Sequence, residues 1–282
     1  MRILLTGQNG QVGYELERVL SVLGEVIATD RSRLDLAVPD AIRRVVREAK
    51  PDLIVNAAAY TAVDRAESEP DTAIQVNAVA PEVLAEEAKR HGALLVHFST
   101  DYIFDGTKGE PYAESDAPNP LNVYGKTKLE GERYLAASGC RHLLLRTSWV
   151  YAPRGKNFFL TIAKKALAGE PLRVVSDQHG VPTEARFLAE NTIALLQRGE
   201  EGTFHVVPSG VTTWYGFASA IISRLDSRST VQAIRSDEYP TPARRPSYSV
   251  LNHDKLSKRI GTPPAWQTLL DRCVTTWKSF AR

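Results

Sequence analysis

The sequence predicts an α/β fold: a doubly wound, Rossmann-like parallel sheet with a smaller C-terminal lobe. Three observations predict it. Short apolar runs alternate with longer segments of helical spacing. The first run ends in a glycine-rich turn. From about Val150 the alternation loosens into connections rich in Pro and Gly. Continuous apolar runs separated by helices suit a parallel sheet covered on both faces, because parallel neighbours need crossover connections.

Taken in order, Ile3–Leu5, Val26–Ala28, Leu53–Val55, Leu94–Phe98 and Leu143–Leu145 are the expected strands. The segments Val12–Leu23, Asp40–Ala49, Thr72–His91 and Gly125–Ala137 carry apolar residues at helical spacing and are the expected helices between them. Residues 1–150 then form a dinucleotide-binding domain. A helix near Thr183–Leu196 and a strand near Thr203–Val207 are regular enough for 180–208 to rejoin the main sheet. The rest of 151–282 is the smaller, substrate-binding lobe. Ser236–Ser249, with three prolines, reads as an ordered or ligand-gated loop, or as plain surface loop.

Composition narrows the function. The chain has 282 residues, 43% hydrophobic and 24% charged, which suits a full core. A net charge of +2 provides no field that would draw nucleic acid or an anionic membrane. Cys140 and Cys273 stand in no metal-ligand spacing and suit a reducing compartment. The opening MRILLTGQNG lacks the long apolar stretch of a secretory signal, and no run approaches the ~20 apolar residues of a membrane span. A cytoplasmic protein without nucleic-acid, membrane or metal partners is expected.

The first strand runs directly into Gly7, Gly10 and Gly13, spaced GxxGxxG, and a helix begins there. In such loops one glycine permits the turn, one lets backbone approach a pyrophosphate, and one lets helix pack on strand. The helix N-terminus then receives the phosphate charge. The second strand ends at Asp30, placed to accept from ribose hydroxyls, which favours NADH; Arg31 follows and suits a 2′-phosphate, which favours NADPH. Asp30 also fits a solvated strand end or an N-cap.

Tyr124 and Lys128 form YxxxK. Four residues apart on a helix, they share a face, while Lys126 points elsewhere. A free phenol has a pKa of ~10, and an adjacent ammonium lowers it. A tyrosine so tuned can protonate a carbonyl oxygen as hydride reaches its carbon. Lys128 can also hydrogen-bond the nicotinamide ribose. Alone the motif equally describes an exposed helix with a packed tyrosine and a solvated lysine. Thr100, at the end of the fourth strand, faces the crevice and can donate to the same oxygen; Ser99 is its rival, since strand alternation lets only one point inward.

These residues together resemble the extended short-chain dehydrogenases/reductases. The finer pattern is narrower: Gly10–Gly13 with Glu15-Leu16, Val55–Asp64, Ser99–Gly106, Tyr124–Glu132, Arg146–Tyr151, Pro182-Thr183, Thr213-Trp214 and Tyr239–Pro246. Over nearly the whole chain it is similar to the dTDP-4-dehydrorhamnose reductases. That resemblance implies hydride transfer from NADPH or NADH to C4 of dTDP-4-dehydro-L-rhamnose, a nucleotide-sugar substrate. It implies Thr100, Tyr124 and Lys128 as the catalytic residues. Thr100 and Asp101 would touch the sugar and Trp149 would line its site, although Trp149 also suits a core aromatic at the lobe junction. Cofactor contacts fall on Gly10, Gln11, Val12, Asp30, Asp35, Leu36 and the Ala59-Tyr60-Thr61 turn. Arg244 or Arg245 suits the diphosphate.

Some relatives are dimers bridged by a magnesium ion on carboxylates. Glu15 is present, but Arg186 stands where the second glutamate would, with Glu184 nearby, so no dimer of that kind is expected. A 4,6-dehydratase would carry an Asp-Glu pair, whereas Tyr102 follows Asp101. Epimerases of this fold usually have longer chains. The regulatory β-subunit of methionine adenosyltransferase also resembles the family, so a non-catalytic binding subunit is the alternative from another class. Because Asp30 and Arg31 pull in opposite directions, both NADH and NADPH are expected to bind; steady-state kinetics with each would refute this by showing a strong preference.

Overall fold

The computed structural model describes residues 1–280. The chain begins β1 (Arg2–Thr6), α1 (Gln11–Leu20), β2 (Glu25–Thr29), α2 (Pro39–Ala49) and β3 (Leu53–Asn56). It continues through α3 (Val63–Ala66), α4 (Pro70–Ile74), a π-turn (Gln75–Val79), α5 (Ala80–His91), β4 (Leu94–Thr100), α6 (Val123–Ser138) and β5 (His142–Thr147). Then come β6 (Val150–Tyr151), α7 (Phe158–Leu167), β7 (Leu172–Val175), β8 (His179–Gly180), β9 (Thr183–Glu184), α8 (Ala185–Gln197) and β10 (Gly202–His205). The last elements are β11 (Thr212–Thr213), α9 (Trp214–Arg224), β12 (Val231–Ile234), α10 (Asp254–Ile260) and α11 (Trp266–Phe280). Among the described residues no helix is long and apolar enough to cross a membrane.

Six strands form one parallel sheet in the order β2-β1-β3-β4-β5-β10. Its strands are apolar throughout because alternate residues feed two different cores. Ile3, Leu5, Val55 and Leu145 pack with Leu16 and Leu20 of α1 and Leu188 of α8. Leu4, Ile54, Leu95 and Leu144 pack on the other face with Ile42 and Val46 of α2 and Leu84 of α5. A third cluster joins Ile103, Phe104 and Tyr112 to Tyr151, Phe159, Phe217 and Leu270.

β1 lies between β2 and β3, so the connections leave it in opposite directions. At such a switch point the carboxyl ends of the strands open a crevice. The loops after β1 and β3 line that crevice.

Two expected helices need correction. The first stops at Leu20, and residues 21–23 form a turn. Thr72–His91 is not one uniform α-helix: it begins at Pro70 and widens into the π-turn at Gln75–Val79. Pro81 has no N–H, so the Asn77 carbonyl loses its usual partner. That carbonyl instead faces Gly131 of α6, where a Cβ would collide with it.

Gly7 adopts φ +74, a region that favours glycine. A Cβ on Gly13 would run into the Gly7 carbonyl oxygen, a backbone atom that cannot swing aside. Gly13→Ala should therefore cost about 1–3 kcal/mol, the range for overpacking, and lower the melting temperature by several degrees; an unchanged melting curve would refute this reading of the loop.

Candidate active site

The crevice beside β1 and β3 is a cleft of about 580 Å³. Of the residues expected to hold a dinucleotide, Gly7, Gly10, Asp30, Arg31, Asp35, Leu36, Ala59 and Tyr60 line it. Gln11, Val12, Gly13 and Thr61 do not. Gly13 is buried beneath the loop, Val12 packs on the core, and Gln11 accepts from Asn157 Nδ2 at 2.8 Å. Sequence reasoning missed Thr6, Asn9, Ala58, Arg65 and Glu69 on the same walls.

No side chain caps α1, since Gly10 holds the cap position. Its first-turn N–H groups therefore remain available to an anion. Asp30 accepts from Ser32 Oγ at 2.6 Å, from the Ser32 N–H at 3.0 Å and from Asn9 Nδ2 at 3.2 Å. The Ser32 hydroxyl, the Arg33 N–H and these other donors lower its pKa, so it stays an acceptor. Arg31 is largely exposed and only loosely paired with Asp35 at 3.4 Å. Tyr60 is tied to Glu69 at 2.6 Å, and its N–H donates to Asn77 Oδ1 at 2.9 Å. Glycines, free N–H groups, a ribose acceptor and an unencumbered guanidinium fit a pyridine dinucleotide.

A second group gathers where β4 ends. Thr100 closes the strand, and Tyr124 and Lys128 project from one face of α6. Asn122 fixes the start of α6 by accepting from the Gly125 N–H at 2.8 Å. Gly125 itself abuts the Tyr102 carbonyl, leaving no room for a Cβ. Lys126 is exposed, as the spacing requires. The Thr100 hydroxyl donates to Asp101 Oδ1 at 3.1 Å and accepts from the Tyr102 N–H at 3.1 Å. It also lies close enough to Tyr124 to favour its ionisation. Ser99 Oγ is buried and finds no partner.

The expected tuning of the phenol is corrected. Burial pushes Tyr124 up to about 12, the Thr100 hydroxyl opposes that rise and the Asp101 charge adds to it. Lys128 does not offset it, because its amine is turned toward β4. Nζ donates to the Phe98 carbonyl at 2.6 Å and meets His97 Nε2 at 3.3 Å. Burial lowers Lys128 to about 8, against the pull of Glu132. Asp101 is 2% exposed, accepts from Ser249 Oγ at 2.5 Å, and is raised by burial to about 7.

His97, Asn56, Asn77 and Ser249 were not singled out from sequence. His97 and Asn56 interrupt or end apolar strands, and a polar group forced into a core is itself a signal.

Trp149 stacks on Trp214 at 3.6 Å, with a positive φ of 47 and Gly180 against its ring. Of the two arginines expected to suit a diphosphate, Arg245 is already committed. It binds Asp64 at 2.8 and 3.0 Å, so that expectation is corrected for Arg245. Arg244 is exposed, and its carbonyl accepts from Asn122 Nδ2 at 2.8 Å. The segment Ser236–Ser249 is thereby ordered across the site. Arg186 pairs with Glu190 at 2.9 Å, while Glu184 is buried and bound by Arg272.

Comparison with known proteins agrees with this geometry. Residues 1–279 match the family described as the RmlD substrate binding domain. A dTDP-4-dehydrorhamnose reductase of Burkholderia thailandensis is 45% identical, over 97% of this chain and 98% of that one. The crystal structure of a dTDP-4-dehydrorhamnose reductase from Clostridium acetobutylicum superposes with a TM-score of 0.95 at 38% identity, covering 99% of this chain and 100% of the other. That of the Bacillus anthracis reductase, in complex with NADP, gives 0.94 at 34% identity, covering 98% and 99%.

Proposed function

The chain belongs to the dTDP-4-dehydrorhamnose reductase family, and from that premise we propose how it works: it reduces the C4 keto group of dTDP-4-dehydro-L-rhamnose to dTDP-L-rhamnose with NADPH or NADH, Tyr124 giving the proton. The observation that carries this reading is the gathering of Thr100, Tyr124 and Lys128 where β4 ends, beside a cleft built for a dinucleotide.

The glycine turn and the α1 N-terminus bind the cofactor pyrophosphate. Asp30 accepts from the adenosine ribose and Arg31 meets a 2′-phosphate, so both forms of the cofactor are served. A bound reduced nicotinamide supplies the hydride. Thr100 donates to the ketone oxygen and holds it against Tyr124. The high phenol pKa keeps Tyr124 protonated until that oxygen takes on negative charge, and the phenol then gives up its proton. Lys128 orients the nicotinamide ribose, and the Thr100 hydroxyl favours the phenolate that results.

Asp101, braced by Ser249, accepts from sugar hydroxyls with its carboxylate. Trp149 forms an apolar wall, and exposed Arg244 meets the diphosphate. The lobe built after Tyr151 holds the nucleotide sugar. The two free, buried cysteines suit a reducing compartment, in keeping with a cytoplasmic enzyme. Arg186 stands where the second glutamate would, and nearby Glu184 is bound by Arg272, which favours an enzyme without a metal-bridged dimer.

The test is oxidation of NADPH with dTDP-4-dehydro-L-rhamnose generated enzymatically in situ. Tyr124→Phe should lose at least about 100-fold in turnover, the lower end for general-acid catalysis, with cofactor affinity near that of the parent. Retained turnover would show that another group gives the proton.

A further inference from the structure

Behind the reaction centre a chain of buried polar groups crosses three adjacent strands. Thr6 Oγ1, at the end of β1, donates to Asn56 Oδ1 on β3 at 2.7 Å. Asn56 Nδ2 donates to His97 Nδ1 on β4 at 3.1 Å. His97 Nε2 lies 3.3 Å from Lys128 Nζ, which also donates to the Phe98 carbonyl. Thr6, Asn56 and His97 are at most 1% exposed and Lys128 is 2% exposed. With water excluded, each donor along the chain must meet an acceptor. The chain also reaches the dinucleotide cleft, since Thr6 lines its wall.

That matching constrains protonation. The Asn56 N–H needs a lone pair on Nδ1, which places the proton of a neutral imidazole on Nε2. The Nε2–H then needs a lone pair on Nζ, which lysine has only as the amine. Turning the Asn56 amide over gives a second setting: Oδ1 accepts an Nδ1–H, Nδ2 donates to Thr6 Oγ1 while the Thr6 hydroxyl proton turns to the cleft it lines, and a bare Nε2 accepts from the ammonium. In both settings Nζ still donates to Phe98.

We propose that His97 is a positioning residue for Lys128, seating its amine and its ammonium in one place by exchanging imidazole tautomers. Lys128 can then release and regain a proton without leaving its seat. The catalytic meaning of this rests on the reductase reading. Sheet stability does not ask for the arrangement: an aliphatic residue at 97 would continue the apolar run of β4, and buried polar networks are often no more stabilising than the apolar side chains that could replace them.

The surroundings permit both settings. Facing Lys128 are His97 from β4 and, on α6 itself, Tyr124 one turn before and Glu132 one turn after, whose charge favours the ammonium. Facing His97 are Asn56 from β3, Lys128 from α6 and His142 from β5. Asp101 acts on Tyr124. Burial and the neighbouring positive groups keep His97 neutral, well below its ordinary range, while burial brings Lys128 to about 8. Amine and ammonium therefore exchange near neutral pH while the imidazole carries no charge.

The direct test is nitrogen NMR of protein labelled with ¹⁵N-histidine, with the His97 signal identified by its loss in His97→Gln. Between about pH 6 and about pH 9.5 the ring should stay neutral. Its proton should move from Nδ1 to Nε2 as pH rises, with the midpoint at which Lys128, followed in ¹³C-lysine protein, loses its proton. A tautomer that does not change across the Lys128 titration, or a ring that becomes cationic within it, overturns the proposal. A second readout is the pH profile of kcat. His97→Gln, whose amide can turn either atom toward Nζ, should keep the alkaline inflection. His97→Leu should shift it and lower kcat by up to about a hundredfold, the effect of misplacing a reacting group; an unmoved inflection in a folded His97→Leu protein also overturns it. If the parent enzyme gives no turnover, the reductase reading fails, and the NMR result still decides the role of His97.

Discussion

A lysine amine held at 2% exposure against the Phe98 carbonyl is the constraint around which the rest of this molecule is arranged. Removing such a group from water is costly, and the fold must answer with fixed hydrogen-bond partners. It does so through β4, which supplies both the carbonyl and His97. The helix bearing Lys128 is drawn close by glycines where a side chain would not fit: Gly125 against the Tyr102 carbonyl and Gly131 against that of Asn77. The π-turn exists at the same contact, and it leaves the Asn77 side chain free to bind Tyr60 and Thr127. The cleft that Tyr60 lines and the helix that carries Tyr124 are thus braced by one residue, Asn77.

The later part of the chain is fastened to this centre at its most polar points. Arg245 pairs with Asp64, Asn122 holds the Arg244 carbonyl, and Ser249 donates to Asp101. On the far side of the crevice, Asn157 donates to Gln11 and the Arg154 guanidinium lies 3.4 Å over the Tyr14 ring. These fastenings end on α1, on α3, at the start of α6 and on Asp101 beside Thr100. On the proposed reading, a substrate seated between the two parts meets residues whose orientation is already set, which is how an enzyme gains rate from positioning.

The strands and the glycine turn were legible because they depend on local pattern: apolar runs of strand length, and glycines where backbone must approach backbone. YxxxK was legible for the same reason, since four residues on a helix fix a shared face. The electrostatics were not. Spacing places Lys128 beneath Tyr124, but whether its amine turns to the phenol or to the sheet depends on Phe98 and His97, which lie some thirty positions earlier in the chain. The fate of Arg245 was hidden likewise, because its partner Asp64 is 181 positions away. The break in the helix before His91 had a visible cause in Pro81, but an apolar periodicity that continues past it masks the change of register.

In the proposed mechanism Lys128 serves chemistry and not the stability of the fold, and replacing it with an apolar side chain of similar length separates the two. Lys128→Met leaves the Phe98 carbonyl and His97 Nε2 without this partner, at a cost of about 1–3 kcal/mol, so it should melt only a few degrees below the parent. Its NADPH-dependent turnover of dTDP-4-dehydro-L-rhamnose should fall by at least about 100-fold. A Lys128→Met protein that melts far below the parent yet reduces the sugar at the parent's rate would contradict the account.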